Sequence, residues 1–316
     1  MAATGCKEKA PAESQADKDD PKGPKVVRPM AKAGTWYSRD ASVLGAELDR
    51  MLVSASPSPL PGRLVGLVSP HAGYRFSGPT AAYGFKLLGQ ARGVRRVILL
   101  GPSHQHGFRG VSVPAYTHEE TPFGLLPVDP ATSSLLEKPG FLSLPEAHAE
   151  EHSVELQLPF IKRVRQTVRV VPLVVGQMDD ALVEQAAAAL APLVGLDTVI
   201  IASSDFTHRG GHFRFEVRRR EGESLKDAVR RLDFGALPFI AALDAPGLRR
   251  YCAETRITMC GREPVAVMLA TLAKAGISVE SQVLNYTTSG DVLGDWESSV
   301  SYFSVALAAR PPKVGK

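Results

Sequence analysis

From Val27 onward, short apolar runs alternate with longer amphipathic stretches, and this alternation leaves few architectures open. Residues 64–68, 97–100, 168–175 and 198–202 have the length and branched apolar content of buried strands, and 278–285 and 300–307 are two further candidates. Between them, residues 41–53, 80–88, 153–164, 181–193, 225–232 and 264–275 carry helical periodicity. Strands joined through helices predict an α/β fold, with a largely parallel central sheet covered by helices on both faces. No repeat or linker interrupts the pattern, so residues 28–310 are expected to form a single domain, with 210–224 a surface excursion.

The flanks read differently. Residues 7–25 are Lys, Glu, Asp, Pro, Ala, Ser and Gly with hardly an apolar anchor. Such a segment cannot bury enough surface to offset its ordering entropy, so 1–27 is expected to be a disordered tail, with 311–316 a short C-terminal one. Ala3-Thr4-Gly5-Cys6 before a charged stretch is similar to the end of a lipoprotein signal, but the apolar segment that should precede it is missing. A cytoplasmic location is therefore expected, the alternative being a membrane anchor through Cys6. Lys and Arg number 37 against 33 acidic residues, for a formal charge of +4. That balance makes no case for nucleic acid, and no run approaches the ~18 apolar residues of a membrane span. Cys6, Cys252 and Cys260 are too few and too irregular for a disulfide framework, which suits a reducing compartment.

The chemical signal lies at the ends of the strands. One exit reads Ser69-Pro70-His71-Ala72-Gly73-Tyr74, a second Gly101-Pro102-Ser103-His104-Gln105-His106-Gly107, and a third Ser203-Ser204-Asp205-Phe206-Thr207-His208. Ligands of open α/β sheets bind outside the carboxyl ends of strands, so three exits that each deliver a histidine predict a shared site. Two histidines and an anion can make the facial set of non-haem iron. His71 and His104 supply the imidazoles, and either Asp205 or the thiolate of Cys260 supplies the anion. Cys260 precedes the helix expected at Pro264, where the helix terminus and Arg262 would both favour a thiolate.

His148-Ala149-Glu150-Glu151-His152 matches the H-x-x-E-H pattern of inverted zinc peptidases. That pattern needs both histidines on one helix. Pro145 lies just upstream and Ser153 reads as an N-cap, so His148 is expected to precede the helix and face elsewhere, leaving Glu151 and His152 to line the site. Walker, G-x-G-x-x-G, G-x-S-x-G and C-x-x-C signatures are absent.

Pro70-His71-Ala72-Gly73-Tyr74, Gly101-Pro102-Ser103-His104, Glu151-His152-Ser153-Val154-Glu155, Ser203-Ser204-Asp205-Phe206-Thr207-His208 and Cys260-Gly261-Arg262 together resemble the Memo family, whose prokaryotic members are called AmmeMemoRadiSam system protein B. Thr121-Pro122-Phe123-Gly124, Leu284-Asn285-Tyr286 and Ser298-Ser299-Val300-Ser301-Tyr302 fit as well, so the likeness covers nearly all of the expected domain. The resemblance implies a fold similar to class III extradiol dioxygenases. It implies metal binding by His71, His104 and Cys260, an acid/base role for His208, and Asp205 in the same pocket, with Tyr74, Ser103, Glu151, His152 and Arg262 around it. The cofactor implied is Fe(II) or copper, with zinc also suited. Partners implied are a small molecule or peptide, an AMMECR-type protein and a radical-SAM protein. That resemblance admits two functions: a metal-dependent, dioxygenase-like redox enzyme, or a non-catalytic metal- or peptide-binding interaction protein with a relic pocket.

Overall fold

The structure, a computed structural model, describes residues 24–310. Cys6 and both expected tails, apart from residues 24–27, lie outside them. The chain begins with β1 (Val27–Arg28), α1 (Ala41–Ser54), β2 (Arg63–Ser69), α2 (Tyr74–Gln90) and β3 (Arg96–Pro102). Four short strands come next, β4 (Val111–Ser112), β5 (His118–Thr121), β6 (Gly124–Pro127) and β7 (Phe141–Leu142), then α3 (Pro145–Ala149), α4 (His152–Glu155) and α5 (Leu158–Val164). They lead to β8 (Arg169–Val175), α6 (Asp180–Leu190), β9 (Thr198–Ser203) and β10 (His208–Gly210). The chain ends with α7 (Leu225–Phe234), α8 (Leu237–Ala241), α9 (Ala245–Thr255), α10 (Arg262–Lys274), β11 (Val279–Thr288), α11 (Ser289–Leu293) and β12 (Ser298–Ala309).

Among the described residues, nine strands form one sheet in the order β10-β12-β2-β9-β3-β8-β4-β7, with β11 also paired to β12. The four central strands β2, β9, β3 and β8 are mutually parallel, as their helical crossovers require. β12 joins β2 antiparallel and β4 joins β8 antiparallel, so the four-stranded parallel run is bounded on both sides, while β4 and the edge strand β7 again pair parallel. Those four strands are buried on both faces, which is why each reads as a continuous apolar run. Alternate residues serve separate cores: Ile98, Leu100, Leu173 and Ile200 pack with α6, α7 and α10, whereas Val97, Leu99, Val170 and Ile201 pack with α1, α2 and α5. No helix among the described residues is long and apolar enough to cross a membrane.

Two helices depart from the sequence reading. The periodicity places a helix over residues 80–88, yet α2 begins at Tyr74 and carries Pro79 inside it. Pro79 and Arg75, the residue whose carbonyl loses its partner, both lie on the exposed side, where water can satisfy the carbonyl. The single helix expected over 153–164 is instead α4 and α5, with Pro159 in the first turn of α5. Glu151, not Ser153, caps α4, its carboxylate accepting from Ser153 N.

The segment ahead of α1 is tied to the domain by one buried carboxylate. Glu155 accepts from Arg28 Nη2 at 3.0 Å, Ala31 N at 3.0 Å, Lys32 N at 2.7 Å and Tyr37 Oη at 2.8 Å. Arg28 also bonds Glu119 and the carbonyls of His148 and Glu151. Val27 pairs with His118, ahead of the boundary expected at residue 28. Removing one partner of such a pair strands the other's charge, typically about 3–5 kcal/mol. Glu155→Ala is therefore expected to lower the unfolding free energy measured by urea titration by about 3–5 kcal/mol, with a lower midpoint, and to expose residues 28–39 to protease. An unchanged midpoint would mean the strap is held by other contacts.

Candidate metal centre at the strand exits

β2, β3 and β9 end side by side, so the residues just beyond them meet at one edge of the sheet. His71 comes after β2, its backbone N donating to Asp205 Oδ1 at 2.8 Å. His104 comes after β3, its backbone N donating to Glu151 Oε2 at 2.6 Å. His152 opens α4, and its Nδ1 lies 3.4 Å from Glu151 Oε1. One ligand atom from each of His71, His104 and His152 lies within 4.8 Å of the others. The His104 and His152 rings stack with centroids 4.2 Å apart, and His71 stands edge-on to both.

Two glycines permit this convergence. A side chain on Gly101 would run into Ser153 and Val154, and one on Gly261 would run into the Ser203 carbonyl and Ser204. Gly101 thus lets α4 settle on the end of β3, and Gly261 lets the turn before α10 reach the end of β9. That turn carries Cys260, whose Sγ stands 3.2 Å from His71 Nε2 and accepts from Asp205 N at 3.3 Å.

Hydrogen bonds on the far side of each ring settle which nitrogen faces the group. The Ser203 hydroxyl spends its one proton on the Ser153 carbonyl at 2.6 Å and accepts from Gln157 Nε2 at 2.8 Å. It can therefore only accept from His71 Nδ1, also at 2.8 Å, which leaves Nε2 as the lone pair beside Cys260. His104 Nδ1 lies 2.9 Å from Glu151 Oε1, an anion's oxygen, so again Nε2 is left bare. His208 Nδ1 lies between the Phe206 and Thr258 carbonyls at 2.9 and 3.0 Å, with the same result. Ring nitrogens held this way by an acceptor behind them are what metal-binding histidines use for orientation.

Burial, then the neighbouring imidazoles, holds His71 well below its ordinary pKa. Burial together with His104 takes His152 to about 4. Burial alone would raise Glu151, but the bonds and charge of His104 pull it to about 2. Burial raises Asp205, opposed by His208 and by the His71 amide. Cys260 departs from the sequence reading. Burial, reinforced by the Asp205 charge, pushes its thiol well above the usual value. Arg262, expected to favour a thiolate, bonds Glu263 at 3.1 Å and is half exposed. Without a cation nearby the sulfur keeps its proton.

The other candidate residues separate. Tyr74 points into the core, donating to the Leu156 carbonyl at 2.7 Å against Tyr37 and Phe160. Ser103 bonds the His106 carbonyl in the loop after β3. His208 is near enough for its charge to bear on both His71 and Asp205. His148 lies on α3 and turns away, its Nε2 at Ser112 and its Nδ1 3.2 Å from Tyr116 Oη. The break at Glu150 puts His148 and His152 on different helices, so the zinc-peptidase geometry is not formed. Gln157, Trp36, whose ring lies 4.5 Å from that of His152, and the ring-orienting role of Ser203 were not legible from sequence. His152 was placed only as a lining group, although an imidazole directly after a capping glutamate was a usable signal.

A model of the family described as Memo-like protein matches residues 28–306. The chain is 33% identical over 295 residues to the protein memo-1 homolog of Caenorhabditis elegans, covering 90% of this chain and 83% of that one. It is 31% identical to protein MEMO1 of Xenopus laevis, covering 90% and 98%. A MEMO1 family protein of Methanopyrus kandleri is 32% identical over 299 residues, covering 89% and 99%.

The ring assignments are directly measurable. Long-range 1H–15N correlation of labelled histidines in metal-free protein at neutral pH is expected to give the Nδ1-protonated tautomer for His71 and His208. Ser203→Ala should disturb the His71 pattern alone, and an Nε2-protonated His71 in the wild type would contradict the network.

Proposed function

The chain belongs to the Memo-like family, and from that premise we propose that it is a metal-binding protein whose centre is built from His71, His104, His152 and Cys260. The observation that carries the reading is the convergence of the three imidazoles within 4.8 Å, at least two of them presenting bare nitrogens. Several lone pairs facing one another repel unless a cation or proton lies between them, and His71 and His152 resist protonation. A metal with nitrogen at ~2.0–2.1 Å and sulfur at ~2.3 Å would space tetrahedral N and S donors by about 3.5 Å. The 3.2 Å between His71 Nε2 and Cys260 Sγ suits that edge after small adjustment. Imidazole with thiolate favours iron, copper or zinc over Mg²⁺ or Ca²⁺.

Bound here, such a metal would supply a Lewis acid or, for iron or copper, a one-electron couple. The chain's own residues would do the rest. The Glu151 carboxylate holds His104 from behind, and Ser203 holds His71. Cys260 would hold the metal as its thiolate, releasing its thiol proton to solvent on binding. His208, its Nδ1 fixed by two carbonyls, offers Nε2 to take a proton from a molecule in the site. Asp205 ties these parts together, bonding His71 N and Cys260 Sγ through its two ends. On this reading the protein is a dioxygenase-like redox enzyme using Fe(II) or copper.

Anaerobic titration with Co(II), Fe(II), Cu(I) and Zn(II) tests the reading. His71→Ala and His104→Ala should each lower affinity by at least ~100-fold, beyond the ~10–100-fold typical of losing a group that only orients a ligand. His148→Ala should leave it unchanged, and Cys260→Ser should abolish the sulfur-to-Co(II) charge-transfer band. No binding by wild-type protein would sink the proposal. Oxygen uptake over catechols and thiols, abolished in His208→Ala with metal retained, would support catalysis; metal without turnover would favour the interaction-protein alternative.

A further inference from the structure

A cleft of about 370 Å³ opens beside this group, and Cys260 forms part of its wall. The loop after β3 contributes Phe108 and Arg109, the end of β8 leads to Met178, and the start of α10 contributes Arg262 and Glu263. The volume lies at the small end of ligand-binding pockets. Two cations line it. Arg109 uses Nη2 on Asp179 at 2.5 Å, and Arg262 uses Nε on Glu263 at 3.1 Å. Both carboxylates are engaged elsewhere too, Asp179 capping α6 through Leu182 N and Glu263 accepting from Arg249 Nε at 3.0 Å. The Arg109 and Arg262 side chains are 64% and 51% exposed, and each guanidinium keeps donors beyond the one used on its carboxylate.

We propose that this cleft binds a small organic carboxylate. Its anionic end lies between Arg109 and Arg262, its apolar body rests on Phe108 and Met178, and its far end reaches Cys260. Arginine forks match the planar carboxylate through paired hydrogen bonds, and Phe108 and Met178 within a largely polar lining offer an organic acid apolar contact that an inorganic anion cannot use. This names the class of molecule offered to the metal group and so rests on the reading above, although the anion site needs no metal to form.

The test uses metal-free full-length protein carrying Cys6→Ser, with slow iodoacetamide labelling of the small thiolate fraction of Cys260, followed over hours at fixed pH, as the readout; Cys252 is buried. Millimolar benzoate and glutarate are the probes, benzamide and glutaramide their uncharged controls, and inorganic phosphate the competing anion. At least one acid is expected to slow labelling severalfold while its amide does not. Arg109→Gln and Arg262→Gln should each weaken that protection by ~tenfold or more, as loss of a charged hydrogen bond implies, with Arg262→Lys partly restoring it. Amides or phosphate protecting as well as the acids would overturn the proposal, as would protection unaffected by either arginine, or no protection by either acid. Co(II) titration of the same samples separates the two readings. Protection without Co(II) binding would refute the metal centre alone, and Co(II) binding without protection would refute the carboxylate site alone.

Discussion

The Glu151 carboxylate is the contact on which the site depends. It caps α4 through Ser153 N, receives His104 at both its backbone N and its ring Nδ1, and lies beside His152 Nδ1. One side chain therefore joins the exit of β3 to the start of α4 and sets how the His104 imidazole faces inward, with His152 alongside. It is fully buried, and the donors converging on it keep it ionised despite that burial. A neutral residue in its place would lose the helix cap and the ring orientation at once.

Around that contact the molecule repeats one device, a buried polar group that holds several segments together. Glu155, one helical turn beyond Glu151, gathers the backbone of 31–32 with Arg28 and Tyr37, and so brings the strap bearing Trp36 against His152. Ser203 joins the exit of β9 to α4, Gln157 and His71. Asp233, buried in α7, accepts from Thr207 N and Oγ1 and from Tyr286 Oη, anchoring the loop between Asp205 and His208. Groups paired this completely cost little to bury, and they oppose rotation of the rings they hold.

The rigid frame behind these groups is the parallel centre of the sheet. Its strands carry apolar residues on both faces, so neither core can slip without exposing the other. Residues that chemistry needs therefore collect at the exits, where the chain leaves the sheet and backbone groups are free to be shared with side chains.

The strands at 63–69, 96–102, 169–175 and 198–203 were legible because double-sided burial writes itself as unbroken apolar runs. The histidine at each of three exits was legible for the same reason, since the end of a strand locates the residue after it. The short strands β4 to β7 were not, as two to four residues give no periodicity to read. Nor was the state of Cys260: local sequence pointed to a thiolate through Arg262 and a helix start, but burial beside Asp205 outweighs both. Sequence by itself determined the α/β frame, the edge at which the site forms and most of the residues delivered there. Tertiary structure alone decided which nitrogen His71, His104 and His208 present, that His152 joins the group as a third imidazole, and that the cysteine sulfur stays protonated. Most of those outcomes depend on partners distant in the chain, 47 residues from His104 to Glu151, 132 from His71 to Ser203 and 189 from His71 to Cys260, and local pattern holds no record of them.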